Sequence, residues 1–296
     1  MFKGSLVALA TPFDADNRVD YAALKGLIDF HAEAGSNGLV VAGTTGEAAT
    51  LNRDEHAELI SRAVALVDGR MPVIAGTGSN STRQTINMSL AVADAGIDAY
   101  LVVVPYYNKP MQEGMYRHFS TVADAVPAPV MMYNVPGRTV ADMQAETVVR
   151  LAAHENIFGI KEATGDIDRL KEIRAHVEDD FMLYSGDDFT ALEFLKAGGH
   201  GIVTVSGNVV PGAVSRLCEL VEAGELGEAQ ALDDSLQPLN DALFVESNPI
   251  PVKWALCQMG LMGPGLRLPL TGFASRYHEQ MRSALSLAGV KLEDAA

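Results

Sequence analysis

The chain reads as an α/β protein, a (β/α)₈ barrel with a C-terminal helical appendage. Three observations predict it. Eight short apolar runs recur before Ser206, segments between them carry helical periodicity, and beyond Ser206 the strand signal stops while helical segments continue. Runs that are apolar throughout suit strands buried on both faces, as in parallel sheets. Strands alternating with helices of ten to fifteen residues predict βαβ units. Six such units would favour an open doubly wound sheet; eight favour closure.

The runs are Leu6–Ala10, Leu39–Ala42, Val73–Gly76, Tyr100–Val104, Val130–Tyr133, Phe158–Lys161, Met182–Tyr184 and Ile202–Val205. Between the first two, Leu24, Leu27, Ile28 and His31 repeat at helical spacing, as Ile167, Leu170, Ile173 and Val177 do after the sixth. Asn52-x-x-Glu55 and Ser81-x-x-Gln84 have the form of capping boxes that open helices. Past the eighth run, Val214–Ala223, Glu228–Phe244, Val252–Met259 and Phe273–Leu287 read as helices. The expected division is a barrel over 1–207 and a helical region over 208–296, packed on the barrel because no Ser- or Pro-rich linker separates them.

Charge narrows the function. Lys plus Arg is 22 and Asp plus Glu is 38, a net charge of −16. A surface of that sign opposes broad binding to nucleic acid or an anionic membrane, so an anionic ligand needs a local cluster of donors. Cys218 and Cys257 suggest neither a metal site nor a disulfide framework. The start, Met1-Phe-Lys-Gly-Ser-Leu6, lacks the pattern of a secretory leader, and no run approaches eighteen apolar residues. A cytoplasmic setting is expected.

In a barrel of this kind the site forms at the C-terminal ends of the strands. The residues after each run are therefore informative: Thr11-Pro12, Gly43-Thr-Thr-Gly-Glu47, Thr77-Gly78, Pro105-Tyr-Tyr-Asn108, Tyr133-Asn-Val-Pro-Gly-Arg138, Lys161, Ser185-Gly-Asp187 and Ser206-Gly-Asn208. Lys161 is the pivot. A lysine closing a buried apolar strand either snorkels to water, pairs with Glu162, or supplies an amine. Burial disfavours an ammonium ion, and a neutral amine in a dry pocket attacks carbonyl carbon, the first step of Schiff-base chemistry. Tyr133, on the neighbouring strand, stands where a proton carrier is needed, or is a half-buried packing residue. Gly43–Glu47 offers backbone N–H groups and two threonine hydroxyls to a small carboxylate, or is an ordinary turn. Arg138 grips a second carboxylate or is a solvated loop arginine. No Walker loop, dinucleotide fingerprint or nucleophile elbow is present. The seven histidines are scattered and suggest no metal site.

Four segments together resemble the dihydrodipicolinate synthases (4-hydroxy-tetrahydrodipicolinate synthases), pyruvate-dependent class I enzymes of the N-acetylneuraminate lyase superfamily. They are Gly43-Thr-Thr-Gly-Glu47, Tyr133-Asn-Val-Pro-Gly-Arg-Thr139, Gly159-Ile-Lys-Glu-Ala-Thr-Gly165 and Asn248-Pro-Ile-Pro-Val-Lys253. The resemblance runs from Phe2 to about the last ten residues. It implies condensation of pyruvate with L-aspartate 4-semialdehyde, no metal or organic cofactor, and a homotetramer built as a dimer of dimers. It implies that Lys161 forms the imine and that Thr44, Tyr133 and Tyr107 relay protons, Tyr107 from a neighbouring subunit. Thr45 would hold the pyruvate carboxylate and Arg138 that of the semialdehyde. Gly186 and Val203 would line the pocket, Val203 standing where better-known members have isoleucine. Relatives such as N-acetylneuraminate lyase and keto-deoxy sugar-acid aldolases share the lysine, and a ligand sensor keeping the barrel is a third reading. Arg138, after Pro136-Gly137, favours the synthase, which must counter a short carboxylate.

The resemblance also implies an allosteric lysine site at Ala49, Arg53, His56, Asn80, Gln84 and Tyr106. Arg53 and Gln84 depart from the histidine and glutamate of lysine-sensitive enzymes. Arg53 adds a like charge near a ligand ammonium and Gln84 removes a counter-charge, so weak or absent inhibition by lysine is expected.

Overall fold

The computed structural model describes residues 2–292. Eight parallel strands close into one barrel in sequence order: β1 Gly4–Ala8, β2 Gly38–Val41, β3 Val73–Gly76, β4 Ala99–Val103, β5 Val130–Asn134, β6 Ile157–Glu162, β7 Met182–Ser185 and β8 Gly201–Thr204. β1 pairs with both β2 and β8, which closes the ring. Every predicted strand is present, its ends shifted by no more than a residue or two.

The apolar runs are continuous because the barrel has two cores. One fills its interior, with Leu6, Val40, Ile74, Leu101, Met131, Phe158, Met182 and Val203. The other lies between strands and surrounding helices, with Val7, Leu39, Val73, Val102, Met132, Ile160, Leu183 and Ile202. A residue on either face of such a strand is removed from water, which leaves no polar alternation to read.

The helices are α1 Tyr21–Glu33, α2 Arg53–Val67, α3 Thr82–Ala91, α4 Gln112–Ala125, a short α5 Pro136–Thr139, α6 Ala145–Ala152, α7 Ile167–Arg174, α8 Ala191–Lys196, α9 Pro211–Glu222, α10 Leu226–Leu243, α11 Ile250–Gln258 and α12 His278–Leu287. Leu24, Leu27, Ile28 and His31 are the buried stripe of α1, as their spacing predicts. Asn52 and Glu55 form a complete capping box at the start of α2. At α3 only half of one forms: Ser81 accepts from the Gln84 N–H, while the Gln84 side chain turns to the Ser79 hydroxyl instead. Val177 lies beyond α7, which ends at Arg174.

After β8, α9 packs on β1 and β8 and so supplies the helix of the eighth βα unit. The expected division at 207 falls in the 3₁₀ turn Ser206–Asn208, between that strand and α9. The part of the helical region at 293–296 lies outside the described residues. The last predicted helix begins later than Phe273. A 3₁₀ turn at Ser275–Tyr277 precedes α12, because the Phe273 ring is held against Trp254, at 5.4 Å between centroids, and Ala274 is extended. Leu239, Leu243, Val252 and Leu256 join the same core as the outer faces of the strands, so the appendage is packed on the barrel. Among the described residues no helix is long and apolar enough to cross a membrane.

Candidate active site

A cavity of about 620 Å³ opens where several strands end, its wall including Ala8, Val40, Tyr133, Lys161, Gly186 and Val205. That size suits a small-molecule site. Lys161 reaches it through an irregularity in β6. Val130 pairs with Ile157, but Met131 pairs with Gly159, so Phe158 is an extra residue. Strict alternation from an outward Ile157 would point Lys161 outward too; the extra residue reverses the phase. Ile160 then faces the helices, and Lys161 faces the cavity. Gly159 permits this, since a side-chain carbon there would collide with the Met182 carbonyl.

Lys161 is only 6% exposed, which rules out snorkelling. It does not pair with Glu162, which faces the other side of the strand and takes hydrogen bonds from Asn134. Tyr133 is its register partner on β5, and the lysine Nζ lies 4.3 Å from the tyrosine ring centroid. Gly186 makes room for it: a Cβ at that position would sit 2.8 Å from the lysine Cε and 2.7 Å from Ala163 Cβ.

Opposite stands the turn after β2. Ala42 and Glu47, at φ 56° and 54°, are left-handed and bracket the turn. Gly46 is closely backed, its carbonyl receiving the Thr11 hydroxyl at 2.7 Å. Within the turn the Glu47 N–H goes to Thr44 O and the Ala48 N–H to Gly43 O. Thr44 is exposed at the cavity wall and Thr45 is buried. Arg138, on α5, also lines the cavity, and its Nη2 donates to the Asn248 carbonyl at 3.2 Å.

Asn248 is the residue that sequence reasoning left without a role. It follows α10 in a segment, 244–248, that forms one side of the cavity. Its Nδ2 donates to Thr45 Oγ1 at 3.0 Å, so one side chain and its own carbonyl join the threonine turn to Arg138. Its position inside the Asn248–Lys253 motif was the only available signal. Asp187 and Glu246 also line the wall, giving it two acidic groups beside Lys161 and Arg138.

Two expected residues are elsewhere. Val203 is buried in the barrel interior; just past the end of β8 the cavity wall is Val205. Tyr107 is 89% exposed and outside the cavity of its own chain.

A second cavity, of about 530 Å³, shares Gly43, Thr44, Leu101 and Tyr133 with the first. Ala49, Arg53, Gln84 and Tyr106 line it. His56 and Asn80 do not. The His56 ring is buried behind the wall with Nε2 2.7 Å from Gly76 O, and burial lowers its pKa against the opposing effect of that bond. The Asn80 carbonyl instead receives the Asn108 side chain at 2.9 Å. Among the described residues no three His, Cys, Asp or Glu side chains are grouped to hold a metal ion.

An amine held without a carboxylate partner, a phenol beside it, hydroxyls across from it and a guanidinium at the wall can bind a carboxylated carbonyl compound and form an imine.

The profile of the dihydrodipicolinate synthetase family matches residues 1–288. The 4-hydroxy-tetrahydrodipicolinate synthase of Ectopseudomonas mendocina is 55% identical over 290 residues, 98% of this chain and 99% of that one. That of Pseudomonas aeruginosa is 54% identical with the same coverage. Among solved structures, a dihydrodipicolinate synthase from Acinetobacter baumannii, complexed with pyruvate, superposes with a TM-score of 0.96 at 46% identity, covering 98% of this chain and 100% of its own. A synthase from Cyanidioschyzon merolae with lysine bound gives 0.95 at 42% identity, covering 98% and 99%.

Proposed function

The chain belongs to the dihydrodipicolinate synthetase family, and from that premise we propose that it condenses pyruvate with L-aspartate 4-semialdehyde to 4-hydroxy-tetrahydrodipicolinate. One observation carries the reading: Lys161 stands buried and, among the described residues, without a carboxylate partner, beside Tyr133, in a cavity that Arg138 also lines.

The Lys161 amine adds to the pyruvate C2 carbonyl. The carbinolamine then loses water to give an imine, with protons passing through Tyr133 and Thr44. The imine draws electrons from C3, whose methyl group loses a proton to give an enamine. C3 attacks the aldehyde carbon and the resulting alkoxide is protonated. The substrate amine then closes on C2 and releases Lys161 as free amine. Thr45 holds the pyruvate carboxylate and Arg138 that of the semialdehyde, each through charge-assisted or hydroxyl hydrogen bonds. Gly186 leaves space for the lysine stem.

Tyr107 completes the relay from a second copy of the chain. Its exposure and its left-handed backbone, φ 74°, support this: an exposed aromatic held in an unfavourable conformation needs a partner to stabilise it. A homotetramer in the cytoplasm, made of two such dimers, fits this arrangement.

Side-by-side assay of the semialdehyde, mannosamine derivatives and sugar-derived aldehydes with pyruvate tests the reading. The semialdehyde should be preferred by orders of magnitude in kcat/KM. Preference for a polyhydroxylated aldehyde would replace this function with that of a sugar-acid aldolase. The second cavity supports a lysine site in which Arg53 and Gln84 weaken binding, so titration should show little inhibition; sub-millimolar sensitivity would contradict it.

A further inference from the structure

The last two rungs of the β5–β6 pairing are each one residue pair. Tyr133 and Lys161 are register partners facing the cavity; Asn134 and Glu162 are register partners one residue on, facing outward. The outer pair is built as carefully as the inner one. Asn134 is fully buried and Glu162 nearly so. Asn134 Nδ2 donates to Glu162 Oε2 at 3.0 Å, to Glu162 Oε1 at 3.3 Å and to Asp142 Oδ1 at 2.9 Å. Its Oδ1 accepts the Met143 N–H at 3.0 Å. Glu162 Oε1 also accepts the Thr164 N–H at 2.9 Å. Arg169, from the first turn of α7, closes the group with two bonds to Asp142, at 2.5 and 2.9 Å, and lies 4.0 Å from Glu162. Burial raises the Glu162 carboxyl, opposed by Asn134 and Thr164, while the Arg169 bond lowers that of Asp142.

An apolar pair would seal the same face at less risk, because a buried polar group left unpaired is expensive. What a satisfied polar network adds is direction and rigidity. Here the bonds cross from β5 to β6 one peptide away from the two reacting side chains. They also hold Asp142 and Met143, which end the loop that begins with Val135 and carries Arg138. A displacement of about 1 Å at a reacting pair can cost about a hundredfold in rate.

We propose that Asn134 and Glu162 are positioning residues for the imine chemistry. As a clamp across β5 and β6 outside the barrel, they hold Lys161 and Tyr133 in reacting geometry inside it. Through Asp142 and Arg169 they fix the Arg138 loop to the same frame. Neither touches substrate. The inference rests on Lys161 being the imine-forming amine.

Three variants test it: Glu162→Gln, Asn134→Asp and the two combined. Glu162→Gln alone sets amide against amide, and Asn134→Asp alone sets carboxylate against carboxylate. Combined, they restore a donor and an acceptor between the two strands with direction reversed and total charge unchanged, while the bond to Asp142 Oδ1 stays broken. Each single variant should lose about ten- to a hundredfold in kcat with KM for pyruvate within about threefold. Borohydride should still trap pyruvate on it at saturation. The double variant should recover at least about tenfold over the worse single. Single variants with kcat near wild type despite a lower Tm, or a double no better than the worse single, would overturn the proposal. Should the single variants not fold, Arg169→Lys loosens the network at its edge. It should lower kcat about threefold or more, and an unchanged kcat would count against the clamp. Failure of trapping in the wild-type enzyme would instead remove the imine reading, so the two failures are separable.

Discussion

At the scale of single residues, burial decides chemistry. Lys161 is kept dry and has no ion-pair partner among the described residues, whereas Lys253, also buried, is ion-paired with Glu47. Only the first is free to react. His31 shows the same principle in stability. Its ring is buried, Nδ1 lies 3.3 Å from the Ser36 hydroxyl, Nε2 has no partner among the described residues, and burial lowers its pKa to about 4. Above pH 6.5 the ring is neutral in both states and contributes nothing to pH dependence. Between pH 6.5 and about 4 the unfolded chain takes up a proton that the folded one refuses. Stability should therefore fall as pH drops through that window, by on the order of 3 kcal/mol for this residue. Thermal unfolding of wild type and His31→Gln from pH 7 to 4.5 checks this. The variant should lose less Tm on acidification; parallel profiles would contradict it. At this scale the gathering of Lys161, Tyr133, Thr44, Thr45 and Arg138 around one cavity was legible from the strand ends and the loops that follow them, whereas Gly186 was pointed to by the family resemblance. Asn248 was not, since nothing local distinguishes an asparagine that bridges Thr45 and Arg138 from one in a loop.

Elements were legible where an apolar run or a cap announced them. The irregularity in β6 was not, because it is defined by pairing with β5 and not by either segment alone. The same holds for the tie between the β2 turn and α11. Glu47, left-handed and fully buried, pairs with Lys253 and accepts the Arg267 N–H at 3.1 Å. Burial lowers the Lys253 pKa, and the charge of Glu47 opposes that. Lys253→Met should destabilise by about 3–5 kcal/mol, because it leaves a carboxylate buried without its partner. Glu47→Gln combined with Lys253→Met should recover much of that loss. Denaturant titrations of the two would decide; a double variant no more stable than the single would contradict the ion-pair account. Since Asn248 lies two residues before α11, the same pair anchors the segment that closes the cavity.

For the whole molecule, closure of the barrel was legible in the count of apolar runs, because eight parallel strands have a stable closed solution. The position of the appendage was not. That residues 244–248 wall the cavity follows from how α10 and α11 pack on the barrel, which no run of residues encodes by itself. Tyr107 is a further case, since its proposed site is in another copy of the chain. Mixing two inactive variants tests that arrangement. Tyr107→Phe and Lys161→Ala, unfolded and refolded together in equal amounts, should regain about a quarter of wild-type activity, because half the dimers are mixed and one of their two sites is complete. No regain would contradict the placement of Tyr107 in its neighbour's site.

The central claim is that the Lys161 amine forms an imine with pyruvate. Borohydride reduction in the presence of pyruvate, followed by peptide mass analysis, tests it most directly. The account predicts one reduced pyruvate per chain, carried on Lys161 and absent from Lys161→Ala. An unmodified Lys161, or an adduct on another residue in an enzyme that still turns over, would contradict it.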